Sequence, residues 1–122
     1  MSNDVAAVIV SNTSDSTRDN LKNTQNYQKG GLSGKPIELK STELIGKFYN
    51  ILKGRIKISG VGGVDSGKSA YEKFLAGANY VQLYTGMVFR GPNIVYLIKK
   101  ELKELLIADG IKNFSEIIGK IK

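Results

Sequence analysis

Ile56-Lys57-Ile58-Ser59-Gly60-Val61-Gly62-Gly63 is a short β-branched run that closes on paired glycines, and Val64-Asp65-Ser66-Gly67 then leads into an amphipathic segment. A strand that ends in glycine and feeds a helix is the repeating unit of parallel α/β proteins, whose functional edge is the C-terminal end of the strands. Two further stretches have the same form. Val5 to Val10 is a continuous apolar run ending in Ser11-Asn12-Thr13, and Tyr80-Val81-Gln82-Leu83-Tyr84 ends in Thr85-Gly86. Strands are therefore expected near residues 5–11, 56–60 and 80–84. The runs do not alternate, as for strands covered on both faces.

Helical patterns fill the intervals. Residues 36–54 carry Leu44, Ile45, Phe48, Ile51 and Leu52 at helical spacing, with Ser41 or Thr42 as cap and Gly54 as stop. Asp65 or Ser66 caps a second helix with Ala70, Tyr71, Phe74 and Leu75 on its apolar side, stopped by Gly77. Pro92 suits the first turn of a long third helix that ends at Asp109-Gly110. A short amphipathic tail follows (Phe114, Ile117, Ile118, Ile121). Residues 12–35 read as one long polar, Gly-rich loop, and loops of that length in compact domains are usually functional. The order β-α-β-α-β-α predicts parallel strands joined by right-handed crossovers. Three strands leave two unpaired edges, and a closed barrel of such units needs roughly 250 residues. The 122 residues are expected to form one domain that is a piece of such a barrel.

Composition narrows the chemistry. The chain has no Cys and no His, which removes thiol and imidazole catalysis and the common zinc sites, so no metal ligands are assigned. No apolar run reaches the length of a membrane span and no signal peptide stands at the N-terminus. The net charge of +7 reads as a solvated lysine surface rather than a nucleic-acid footprint, because no basic cluster is interleaved with aromatics. Lys47, Lys53, Lys68, Lys73, Lys99, Lys100 and Lys103 are placed on outer helix faces.

Two motifs compete at the second strand. Gly62 to Ser69 matches G-x-x-x-x-G-K-[ST], the phosphate-binding loop in which Lys68 reaches the phosphates and Ser69 holds magnesium. No following strand ends in Asp to complete the magnesium site. The alternative keeps only a phosphate, held by Gly62, Gly63 and the loop at Tyr84-Thr85-Gly86, as at the rim of (β/α)8 barrels. Ser11-Asn12-Thr13 offers an amide and hydroxyls suited to a planar polar ligand, or closes the strand as a local turn.

Taken together, VIVSNT (8–13), GGLSGKP (30–36), GVGGVDSG (60–67), YEKFLAGANYVQLYTG (71–86) and FRGP (89–92), with a long helix ending in LLIADG, resemble the C-terminal part of dihydroorotate dehydrogenases. The resemblance is strongest to the quinone-dependent, membrane-associated class 2 and covers almost the whole chain. It implies a (β/α)8 barrel of which this chain supplies about strands six to eight. It also implies flavin mononucleotide (FMN) as cofactor, oxidation of dihydroorotate to orotate in pyrimidine synthesis, and a quinone as electron acceptor. Ser11, Gly34, Gly63, Tyr84 and Thr85 match flavin-contacting positions, and Asn12 and Thr13 match positions that hold the orotate ring. Lys68 is then a surface residue, and the phosphate-loop match is coincidence. Ser14 stands where Thr is more usual and keeps the hydroxyl. The family's catalytic serine base and a flavin-contacting lysine fall upstream of these segments, so no catalytic residue is assigned in this chain. The same holds for the helices that meet the membrane. The resemblance thus implies a C-terminal fragment, cytoplasmic by itself, inactive alone and completed by the N-terminal half of the barrel, in a family that sits peripherally on the inner membrane.

Overall fold

A computed structural model describes residues 4–15, 18, 21–22 and 29–120. Three parallel strands, β1 (Ala7–Val10), β2 (Lys57–Val61) and β3 (Tyr80–Gln82), form a sheet in the order β1-β2-β3. Val8 lies opposite Ile58 and Ser59 opposite Tyr80. Each expected strand is present, and the ladders are parallel as the β-α-β order requires. Parts of the expected 12–35 loop (16–17, 19–20 and 23–28) lie outside the described residues, as does Ile121 of the tail.

The helices are α1 (Glu38–Leu52), α2 (Gly67–Leu75), α3 (Thr85–Arg90) and α4 (Ile94–Ala108). A 3-10 turn at Lys35–Ile37 leads into α1, and another at Phe114–Ile117 follows α4. The short α3 was not expected. It occupies the stretch between the end of the third strand and Pro92, and Gly91 (φ +77°) separates it from α4.

One face of the sheet holds the core. Val10 and Ile58 point there and pack with Ile45, Ala70, Phe74, Ala78, Ile94, Ile98 and Ile117, all buried. Phe74 meets Phe114 edge-on, with centroids 4.4 Å apart. The opposite face is bare. Ile9 and Tyr80, which alternation directs away from the helices, are 62% and 59% exposed. The expectation that both faces would be buried is therefore corrected. The apolar runs are suited to two covers, and the described residues supply one.

Two further details differ from the sequence reading. Pro36 opens the 3-10 turn, so α1 begins at Glu38 and Ser41 and Thr42 fall inside it rather than capping it. Their hydroxyls turn inward: Ser41 Oγ donates to the Val61 carbonyl at 2.5 Å, and Thr42 Oγ1 donates to the Glu38 carbonyl at 2.9 Å. The buried stripe of α1 is consequently Ser41, Thr42 and Ile45, flanked by Leu44, Tyr49 and Leu52, while Phe48 and Ile51 are exposed. The second helix behaves as expected: Ser66 is the cap, and Ser69 returns the bond in a capping box.

Candidate functional site

The parallel sheet brings three strand ends to one rim, and the long loop is folded back onto it. Ser14 and Leu32 exchange backbone hydrogen bonds (2.9 and 2.7 Å) in an isolated antiparallel bridge, which returns residues 30–34 to the side of Thr13. Thr85 Oγ1 then donates to Ser33 Oγ at 2.9 Å, pinning this stretch to the residue that opens α3. Gly34 has φ +76°, and a Cβ there would lie 2.9 Å from the Thr85 methyl, so glycine is what lets the two strands of chain meet.

A cavity of about 290 Å³ lies at this rim. Its walls include Ser11, Asn12, Thr13, Gly34, Gly63, Tyr84 and Thr85, every site position read from the sequence. A neighbouring cavity of about 630 Å³ shares Ser33, Gly34, Gly63, Val64, Thr85 and Gly86 with it. Gly86 was read from the sequence as part of the phosphate-holding loop; Ser33 and Val64 were not singled out, although each adjoins a residue that was. Asn12, an exposed residue, accepts from the Thr13 N–H through its Oδ1 at 2.8 Å. Tyr84 is 83% exposed at the cavity's edge.

The larger cavity has a charged wall. Arg18, Lys29, Lys35 and Arg90 line it, with Asp65 as the acidic group. Lys35 Nζ lies 2.5 Å from Glu38 Oε2 and 3.3 Å from Asp65 Oδ1. The hydrogen bond to Glu38 holds the Lys35 ammonium above its ordinary range, with the charge of Asp65 helping. Arg90 donates to the Asp65 carbonyl at 2.6 Å and reaches Glu101 at 3.4 Å. At the end of β2, the N–H groups of Gly63 and Val64 make no hydrogen bond among the described residues, whereas the parallel pairing of Val61 with Gln82 directs the Gly62 N–H toward β3. Gly63 has φ +75°, and a Cβ there would come within 2.6 Å of Glu38 Cα. The glycine is thus demanded by the first turn of α1 packed behind it.

The phosphate-loop alternative does not assemble. Lys68 is 80% exposed and its partner is Glu72, 4.0 Å away. Ser69 is buried with its Oγ taken up by Asp65, Ser66 and the capping box. The N-terminus of α2, where a triphosphate would sit, is filled by Glu101, whose Oε2 accepts from the Gly67 N–H at 2.5 Å. One lysine was misplaced by the sequence reading. Lys73 is not on an outer face; it has no exposed surface at all.

A family model described as dihydroorotate dehydrogenase matches residues 2–106. The chain belongs to the dihydroorotate dehydrogenase family. It is 43% identical over 115 residues to dihydroorotate dehydrogenase (quinone) of Azorhizobium caulinodans, covering 94% of this chain and 32% of that protein. It is likewise 43% identical to the mitochondrial dihydroorotate dehydrogenase (quinone) of Mus musculus, over 94% of this chain and 29% of that protein. Among solved structures, ligand-free DHODH from Eimeria tenella superposes with a TM-score of 0.91 at 35% identity, over 94% of this chain and 32% of that one. The chain spans about a third of the length of the curated relatives it matches. Its β/α units are a section of the dihydroorotate dehydrogenase barrel, and the family is flavin-dependent.

Proposed function

We propose that this chain supplies the FMN cradle and part of the orotate pocket of a quinone-dependent dihydroorotate dehydrogenase, as the C-terminal β/α units of its barrel. The observation that carries this reading is the convergence of Ser11, Asn12, Thr13, Gly34, Gly63, Tyr84 and Thr85 on one rim cavity. The residues present fit the cofactor: the N–H groups of Gly63 and Val64, without partners among the described residues, suit a phosphate dianion, and the hydroxyls of Ser33 and Thr85 line the same cavity.

FMN, when bound, supplies two-electron chemistry, accepting from dihydroorotate and passing electrons to a quinone. The chain's own residues bind and orient. The N–H groups of Gly63 and Val64 would hold the phosphate, with Lys35 and Arg90 on the wall of the neighbouring cavity. The Asn12 amide and the Thr13 hydroxyl hold the carbonyl and carboxylate groups of the pyrimidine ring. Removal of a proton from carbon needs a base within hydrogen-bond reach. The resemblance assigns that base to a serine outside these segments, so activity requires the remaining β/α units, which would also cover Ile9 and Tyr80. Among the described residues no helix is long and apolar enough to cross a membrane, and membrane attachment is assigned to the same outside segments.

The test is complementation. The chain is mixed with a polypeptide carrying the remaining two thirds of a quinone-dependent relative, and dihydroorotate-dependent quinone reduction is followed. Activity in the mixture and none from either component is expected. Turnover by the 122-residue chain alone, or none in a mixture that demonstrably associates, would overturn the assignment.

A further inference from the structure

Lys73 lies wholly inside the protein, on α2, between the sheet and the first turn of α1. Its Nζ donates to Thr42 Oγ1 at 3.0 Å, to Ser41 Oγ at 3.2 Å and to the Glu38 carbonyl at 3.4 Å. The two hydroxyls spend their own protons elsewhere, Ser41 on the Val61 carbonyl and Thr42 on the Glu38 carbonyl. Their lone pairs are therefore turned to the lysine. Three acceptors meet the three N–H donors of an ammonium, and a neutral amine has only two.

This arrangement is coupled to the end of β2. Ser41 holds the Val61 carbonyl immediately before Gly62. A Cβ on Gly62 would lie 3.1 Å from Ser41, and one on Gly63 2.6 Å from Glu38 Cα. The glycines of the rim are thus shaped against the segment that Lys73 ties down. Resting on the flavin reading, we propose that Lys73 is a positioning residue for the anion cradle. Through Ser41 and the first turn of α1 it fixes the Val61–Gly63 backbone.

The charge is costly to the fold. Burial pushes Lys73 down from 10.5 to about 8; Glu38 of α1 and Glu72 of α2 oppose that shift, and Lys35 of the preceding turn adds to it. The three acceptors of Nζ, together with Glu38 and Glu72, hold the ammonium inside in spite of that penalty.

The experiment follows the 13Cα and carbonyl resonances of Gly62 and Gly63 from pH 6.5 to 9.5 in the full chain, its Lys73→Met variant and its Ser41→Ala variant. In the wild type they are expected to titrate with a midpoint near 8, and in both variants to lose that titration. FMN affinity is read in parallel and is expected to fall on the order of tenfold between pH 7 and pH 9.5, as for loss of a charge-assisted contact. Riboflavin, which lacks the phosphate, should show no such fall. Glycine resonances that stay flat in the wild type, or titrate alike in all three proteins, overturn the proposal. Should Lys73→Met fail to fold, Ser41→Ala and the wild-type titration decide. If FMN binds at no pH while the titration persists in the wild type and vanishes in the variants, the positioning role stands and the flavin reading fails.

Discussion

Thr85 Oγ1 and Ser33 Oγ are hydrogen-bonded at 2.9 Å although 52 positions separate them in the chain. This bond joins the returning end of the long loop to the end of β3, and the rim cavity exists because the two meet there. Removing the hydroxyl without changing shape tests its worth. Thr85→Val and Ser33→Ala should each weaken FMN binding up to about tenfold, the range of one neutral hydrogen bond, measured by quenching of flavin fluorescence. Wild-type affinity in both variants would detach the pair from the site.

Gly63 answers to a steric demand. Its φ of +75° and the 2.6 Å approach of a Cβ to Glu38 Cα mean that Gly63→Ala must both strain the backbone and push α1 aside. A loss of about 1–3 kcal/mol or more is expected, read from urea denaturation. A variant of wild-type stability would show that the end of β2 is not packed as described.

Lys68→Ala separates the two motif readings. The side chain is exposed and weakly paired, so stability should stay within about 0.5 kcal/mol and FMN affinity should not change. ATP binding with magnesium that is present in the wild type and lost in this variant would restore the phosphate-loop reading.

Lys73 makes stability depend on pH with a definite sign. Its pKa is lowered from 10.5 to about 8 on folding, so between these values the unfolded chain binds more protons and stability rises with pH. The contribution is fully present above 10.5 and is lost as pH falls through about 8. The denaturation midpoint of the wild type should climb across this window relative to Lys73→Met. A difference that runs the other way would mean that the ammonium is better solvated inside than in water.

Ser66 closes α2 through the capping box with Ser69. Ser66→Ala should cost about 1 kcal/mol, seen in thermal or chemical unfolding. Because the cap lies behind the rim, FMN affinity of the folded fraction should be unaffected.

The residues legible in the sequence were those whose signal is local. The strand ends at Ser11, Gly63 and Tyr84 follow from apolar runs closed by polar or glycine residues. Ser66 was one of two candidate caps because hydroxyls and carboxylates satisfy orphan amides. Ser41 and Thr42 carry the same hydroxyl signal, yet the Pro36 turn starts the helix earlier and sends them into the core. Lys73 was illegible for a related reason. A nine-residue helix wedged among the sheet, α1 and α4 buries more than one side, and no helical period marks a lysine whose acceptors lie on another helix. Ile9 and Tyr80 show the converse, since a run suited to two covers says nothing about which chain supplies the second.

FMN is placed on the rim built by Ser33, Gly34, Gly62, Gly63 and Thr85. Titrating the 15N-labelled chain with FMN and mapping the perturbed amides tests it most directly. Shifts are expected to concentrate at these residues and their neighbours in the rim cavity, with Lys68 and its exposed helix face silent. Shifts centred on Lys68 and the start of α2, or none at the rim at saturating FMN, would contradict it.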